Sequence, residues 1–124
     1  MVGKYLIDTN IAILFLNNRE PVVKKIIASE QIFLCPIVAG ELLYGARKSA
    51  LARKNLRRYE GFINSIPSLP IDISTANHYS SIKDKLRSKG TPIPENDIWI
   101  AAIALQHQLV LASKDSLLYI IRFY

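Results

Sequence analysis

Four acidic residues stand where folding alone does not call for an acid, and together they are candidates to hold a divalent cation. Asp8 ends the apolar run Tyr5-Leu6-Ile7 and is followed by the small polar residues Thr9 and Asn10. Glu41 sits among neighbours that are mostly Ile, Val, Ala and Leu. Asp97 opens the most apolar stretch of the chain, directly after the stiff segment Pro92-Ile93-Pro94. Asp115 lies two residues past Ser113, after the run Leu109-Val110-Leu111-Ala112. The other six acids (Glu20, Glu30, Glu60, Asp72, Asp84, Glu95) lie in polar or mixed surroundings. Each of the four also has a plainer reading, and Asp8 is a favoured residue type for starting a helix. Convergent carboxylates repel one another and resist ionisation unless a positive charge joins them. Lys114 is the chief basic residue near the predicted loops. The alternative is Mg²⁺ or Mn²⁺, which suit all-oxygen ligands. His78 and His107 fall on separate helical stretches without ligand spacing, so zinc is not suggested.

The elements that must position these acids follow from periodicity. The run at 5–7 and the runs at 32–35 and 109–112 are short, apolar and bounded by turn-forming residues, as strands buried on both faces are. An edge strand is expected at 69–72, where Pro70 is tolerated. Helices are expected at 10–16 and from Pro21 onward, the latter with Val22, Val23, Ile26 and Ile27 inward. Further helices are expected at 37–49 and at 53–66, where Leu56, Tyr59, Ile63 and Ile66 recur at helical spacing. Another is capped by Ser74, turns Ala76, Tyr79, Ile82 and Leu86 inward and ends at Gly90. Asn96 is read as the cap of a deeply packed helix from 97 to about 107, and a short helix is expected at 117–124. Strands alternating with helices argue for a parallel α/β sheet, and in such sheets ligands bind outside the carboxyl ends of the strands. Asp8 is then at the mouth of that crevice.

Length and composition set the remaining bounds. A chain of 124 residues suits one domain, read here as 1–124, and half of its residues are hydrophobic. Cys35 is the single cysteine, so no intramolecular disulfide forms and a reducing, cytoplasmic setting is expected. The N-terminus enters a strand-like run with no apolar signal region, and no apolar stretch approaches the roughly 20 residues of a membrane span. The formal charge of +6 favours polyanionic partners. Arg47, Lys48, Arg53, Lys54, Arg57 and Arg58 fall within twelve residues that contain no acid. That run is either a solvated helix face or a contact for a phosphate backbone.

The strand-ending Asp8-Thr9-Asn10, the segment Gly40-Glu41-Leu42-Leu43-Tyr44-Gly45-Ala46, the segment Pro94-Glu95-Asn96-Asp97-Ile98-Trp99-Ile100-Ala101-Ala102 and the run Leu109-Val110-Leu111-Ala112-Ser113-Lys114-Asp115 resemble the four motifs of the PIN-domain ribonucleases. More narrowly they resemble the VapC toxins of type II toxin–antitoxin systems. The resemblance runs from Lys4 to about Tyr119. It implies a three-layer α/β/α fold with a central parallel sheet of four to five strands. It implies Mg²⁺ or Mn²⁺ held by three core acids, matched here by Asp8, Glu41 and Asp97, with Asp115 matching a fourth, less uniform one. Asn10 and Ser113 match small polar positions that orient a ligand or water from behind. It further implies endonucleolytic cleavage of structured RNA such as tRNA or rRNA, a VapB-like antitoxin and a homodimer that assembles further with it. The basic residues from Arg47 to Arg58 are candidates to bind flanking RNA. The pattern departs from the family after Asp115, where Leu117-Leu118 stands in place of the usual aromatic residue, and the chain stops at Tyr124, short of the last strand and tail often seen.

Other readings remain at this stage. A phosphatase of the haloacid-dehalogenase type also opens with a buried strand ending in Asp, but it needs a second acid at the position of Asn10. A receiver domain needs paired early acids and a late lysine, which match poorly. A PIN-like module that binds protein or RNA without catalysis, and an RNA-processing PIN nuclease without an antitoxin, both keep the fold.

Overall fold

The strand that ends at Asp8 lies at the centre of the sheet. In this computed structural model, which describes residues 3–113, β1 (Lys4–Ile7) pairs in parallel with β2 (Gln31–Phe33) on one side and with β3 (Val110–Ala112) on the other. Leu6 stands opposite Phe33 and Leu111, and Leu6, Ile7 and Leu111 are fully buried. Burial of that kind is what a parallel sheet covered on both faces requires. The helices α1 (Thr9–Leu16) and α2 (Glu20–Ala28) join β1 to β2. The helices α3 (Pro36–Arg47), α4 (Ala52–Asn64), α5 (Ile73–Ser88) and α6 (Glu95–Gln106) lie between β2 and β3.

The order β2-β1-β3 makes the chain change direction across the sheet. From β1 it steps outward to β2 and then to Ser68, which forms a single parallel bridge with Leu34. It then returns past β1 to β3. Right-handed crossovers put the helices of the outward steps, α1 to α4, on one face and the return helices α5 and α6 on the other. A reversal of this kind opens a crevice at the carboxyl ends of the two strands where it occurs. Those strands are β1 and β3, and the Asp8 N–H donates to the Ala112 carbonyl at 3.2 Å.

Helix α6 anchors the return face. Ile98 and the unbroken run from Ile100 to Ala104 are buried, so this helix has no polar side to offer solvent along its middle. Burying a side chain such as Ile100 or Ile103 stabilises by about 1.5–3 kcal/mol. The start of α6 is held from α5. The Tyr79 hydroxyl donates to Glu95, Lys83 Nζ lies 3.1 Å from it, and the Tyr79 ring stacks on Trp99 with centroids 4.1 Å apart. The Tyr79 hydroxyl first, and the Lys83 ammonium second, hold the Glu95 carboxyl below its ordinary range. On the other face Phe15 meets Phe62 with ring centroids 5.5 Å apart, and α4 packs over the end of α1. No helix among the described residues is long and apolar enough to cross a membrane.

Several expectations are corrected here. Among the described residues the sheet has three strands rather than four to five. The stretch 69–72 does not form an edge strand. Pro67 and Pro70 have no N–H to donate, the pairing shrinks to the Leu34–Ser68 bridge, and Asp72 is drawn into the next helix start. Asp72, not Ser74, caps α5: its carboxylate accepts from the Thr75 N–H at 3.1 Å, and its own N–H donates to the Thr75 hydroxyl at 3.0 Å. A carboxylate is the stronger acceptor at the positive end of a helix. Likewise α6 starts at Glu95 after Pro94, so Asn96 lies inside the first turn instead of capping it. Ile27 is not inward but 75% exposed, and Phe62 is the buried residue of α4. The helix expected at 117–124 lies outside the described residues.

The Asp72 cap makes stability depend on pH. The Thr75 backbone N–H chiefly, and then the Gln106 amide, hold the Asp72 carboxyl below its ordinary range. Folding therefore favours the charged form, and this contribution is present above the ordinary carboxylate pKa of about 3.9. It is lost as the pH falls through the lower folded value. Asp72→Ala is expected to lower Tm at neutral pH, and in paired calorimetric scans the gap to the parent should close as the solution is acidified.

Candidate active site

Three of the four singled-out acids meet at the switch point. Asp8, Glu41 and Asp97 line one cleft of ≈ 200 Å³ together with Thr9, Asn10 and Ile100. Each comes from a different part of the chain. Asp8 follows the central strand, Glu41 is in the middle of α3, and Asp97 is in the first turn of α6. Ile100, one turn beyond Asp97, is buried and gives the cleft an apolar wall.

Asp8 is 3% exposed and has two roles at once. Its Oδ1 accepts from the Ile11 N–H at 2.9 Å and so caps α1. The same carboxylate faces the cleft. The capping reading of Asp8 is therefore realised, at a residue that also lines the cleft. Glu41 is set by its helix: Leu42 and Ala46 turn into the core on one side of α3, leaving Glu41 on the side toward the cleft. The Glu41 carboxylate is bridged by two neutral donors. Thr9 Oγ1 donates to Oε1, and Asn96 Nδ2 donates to Oε2 at 3.2 Å. Asp97 benefits from the positive N-terminal end of α6.

Three carboxylates and no basic side chain line the cleft among the described residues. This donor set is hard and all-oxygen, which fits a divalent cation of the Mg²⁺ class. The acids flank the cleft rather than form a finished cage: among the described residues no three His, Cys, Asp or Glu side chains already stand together as an ion site. Thr9 and Asn96 hold Glu41 in that open arrangement.

The remaining candidates separate. Asn10 lines the cleft, while Ser113 follows β3 beside it and Asp115 lies outside the described residues. The basic run divides. Arg53, Lys54, Arg57 and Arg58 line a second, open groove of ≈ 760 Å³ with Ala50, Leu51 and Ala52, whereas Arg47 and Lys48 are not part of its lining. Arg58 also donates to the Leu16 carbonyl at 2.7 Å, which ties α4 to the end of α1. His107 is the C-cap of α6. Cys35 is fully buried before α3; burial above all, and to a lesser extent the Glu41 charge, pushes its thiol up, so it stays protonated. Thr9 and Asn96 are the site residues that sequence reasoning missed. Each is adjacent to a singled-out acid, Thr9 to Asp8 and Asn96 to Asp97, and that adjacency was the only available signal.

Residues 5–123 match the family model described as PIN domain, and the chain belongs to the PIN-domain family. Within it the chain sits with the VapC ribonucleases. It is 31% identical over 115 residues to the tRNA(fMet)-specific endonuclease VapC of Shigella flexneri, covering 91% of this chain and 87% of that protein. It is 34% identical over 114 residues to Ribonuclease VapC2 of Haemophilus influenzae, covering 90% and 86% respectively. In three dimensions it is similar to a chain of the DNA-bound VapBC crystal structure from Salmonella typhimurium, with a TM-score of 0.85, 31% identity, and 96% of this chain and 91% of that chain covered.

The double role of Asp8 can be separated by substitution. Asn is as good a helix cap as Asp but carries no charge, so Asp8→Asn keeps the cap and relieves repulsion with Glu41 and Asp97. In EDTA its Tm is expected to equal or exceed that of the parent. Asp8→Ala loses the cap and should be less stable by about 1 kcal/mol. Urea titrations of both variants check the pair, and equal destabilisation by Asn and Ala would refute the repulsion argument.

Proposed function

We propose that this chain is a metal-dependent endoribonuclease and the toxin of a type II toxin–antitoxin pair, acting in the cytoplasm on structured RNA such as tRNA. The observation that carries the reading is the convergence of Asp8, Glu41 and Asp97 on one cleft whose described lining has no basic side chain. The specificity of the Shigella flexneri relative supports tRNA as the first substrate to test. The VapBC complexes among the similar structures support a VapB-like antitoxin as partner; a toxin homodimer within that complex is part of the same proposal.

Asp8 and Asp97 are the residues to hold Mg²⁺ or Mn²⁺ directly, with Glu41 and Asp115 completing the set directly or through water. When bound, the ion acidifies a water and offsets charge on the phosphoryl oxygens. The chain's own residues do the rest. Glu41, fixed by Thr9 and Asn96, is poised to accept a hydrogen bond from a water beside the phosphate. Asn10 offers an amide at the cleft mouth to orient it. Ile100 gives the cleft a buried apolar wall, and a carboxylate beside it interacts more strongly with charge than one surrounded by water. The basic groove at Arg53, Lys54 and Arg57 supplies salt-sensitive contacts to flanking phosphates.

The test is cleavage of pooled tRNA and of total RNA by purified protein in Mg²⁺, in Mn²⁺ and in EDTA. Discrete products are expected with either metal and none in EDTA. Asp8→Asn and Asp97→Asn should each lower the rate by at least about a hundredfold while the circular dichroism spectrum is unchanged. Full activity in either variant, or no activity from antitoxin-free folded protein, would overturn the proposal. The second outcome would leave a binding module in its place.

A further inference from the structure

Helix α3 carries a row of residues that leads out of the cleft. Glu41, Tyr44, Gly45 and Lys48 are spaced by three and four residues, so they share one side of the helix, opposite the buried Leu42 and Ala46. Tyr44 is 65% exposed, an unusual position for a large ring on a helix that packs well elsewhere. Lys48 Nζ lies 5.0 Å from the centre of that ring. Neighbours at this spacing have Cβ atoms about 5–6 Å apart, which puts the ring one residue's reach from the Glu41 end of the cleft.

Gly45 is the second observation. A glycine in the middle of a helix is unfavourable relative to alanine. Packing does not demand it here, because an added Cβ would meet nothing within 4 Å. The space over Gly45, next to Tyr44 in the chain, is therefore open to something outside the chain. Beyond Lys48 the chain leaves α3 and within three residues reaches Leu51, which lines the basic groove with Arg53, Lys54 and Arg57. An exposed aromatic face with a cation beside it, about one helical turn from an acid of the cleft, is the arrangement that holds a base by stacking and its phosphate by charge.

We propose that Tyr44 is the stacking platform for a nucleotide flanking the scissile phosphate, with Lys48 on that nucleotide's phosphate and the missing side chain of Gly45 giving the base its room. The inference rests on the nuclease reading above and adds a subsite and a strand direction to it: the RNA leaves the cleft along α3 toward the basic groove. Stacking on a ring is tolerant of base identity, so this subsite contributes affinity more than sequence choice.

The test follows cleavage of total cellular RNA at its major site by primer extension, over a range of RNA concentrations in Mg²⁺. Tyr44→Ala is expected to raise the apparent KM by about tenfold with little change in kcat, and Tyr44→Phe to behave as the parent. Gly45→Leu, which fills the open space, should raise KM similarly while its Tm stays at or above that of the parent. Lys48→Ala should raise KM and reduce the slope of log affinity against log salt by about one. An unchanged KM in Tyr44→Ala, or an equal loss in Tyr44→Phe, would overturn the subsite while leaving the nuclease in place. A fall in molecular mass of Tyr44→Ala by light scattering would also overturn it, by making Tyr44 a contact between two copies of the chain. A wild-type chain that cleaves no RNA removes the nuclease reading and this subsite together.

Discussion

The convergence of Asp8, Glu41 and Asp97 on one cleft is the constraint on which the rest of the structure depends. A domain of this size is stable by only about 5–15 kcal/mol, and a cluster of carboxylates draws on that margin. The fold answers with three rigid supports that meet at one place. The central strand is pinned on both sides by parallel pairing, α3 is seated by Val38, Leu42 and Ala46, and α6 is buried along its whole middle. Dipoles then share the charge. Asp8 is bound to the first turn of α1, Asp97 lies at the start of α6, and Glu41 has an oxygen for each of two neutral donors. The donors to Asp8 and Glu41 are backbone, hydroxyl and amide groups, none of them positively charged.

The same logic explains why α6 is so apolar. A helix that delivers an acid into a shared cleft must not shift when a metal or phosphate arrives. Burial of Ile98 and the run to Ala104 fixes its depth, and the Tyr79–Trp99 stack with the Glu95–Lys83 pair fixes its rotation at the end that matters. The exposed ion pair adds little energy by itself. Its place beside the stacked rings gives it a geometric role.

How much was legible in the sequence follows from which forces act locally. The buried strands and α6 were legible because their signals are contiguous: a short apolar run ending in an acid, or eight consecutive apolar residues from Ile98 to Leu105. Glu41 and Asp97 were legible as acids in apolar surroundings and Asp8 as an acid that ends a buried strand, and the three do share a cleft. What failed depended on competition between neighbours. Ser74 is an ordinary helix cap, but Asp72 two residues earlier is a better one with Thr75 placed to return the bond. Asn96 has the composition of a cap and instead reaches Glu41 on another helix, 55 positions away, a partner no local pattern announces. The stretch 69–72 has strand-like composition, yet with Pro67 and Pro70 around it only one bridge forms. Ile27 fits the apolar spacing of α2 and lies at its exposed end, because the helix stops before anything covers it.

The position of β3 has a consequence for synthesis. The switch point is built from the two ends of the described chain, since the Asp8 N–H is bound by Ala112, a residue made more than a hundred positions later. Helices α1 to α4 can pack as they emerge, but the crevice has only one wall until β3 has been made and has crossed back over β1. Closing so long a loop is slow compared with forming local helices. A growing chain therefore carries Asp8 and Glu41 without the completed crevice until β3 has been made. The cell that makes this protein meets a finished cleft only after translation has passed β3, which gives any partner already present the first opportunity to bind.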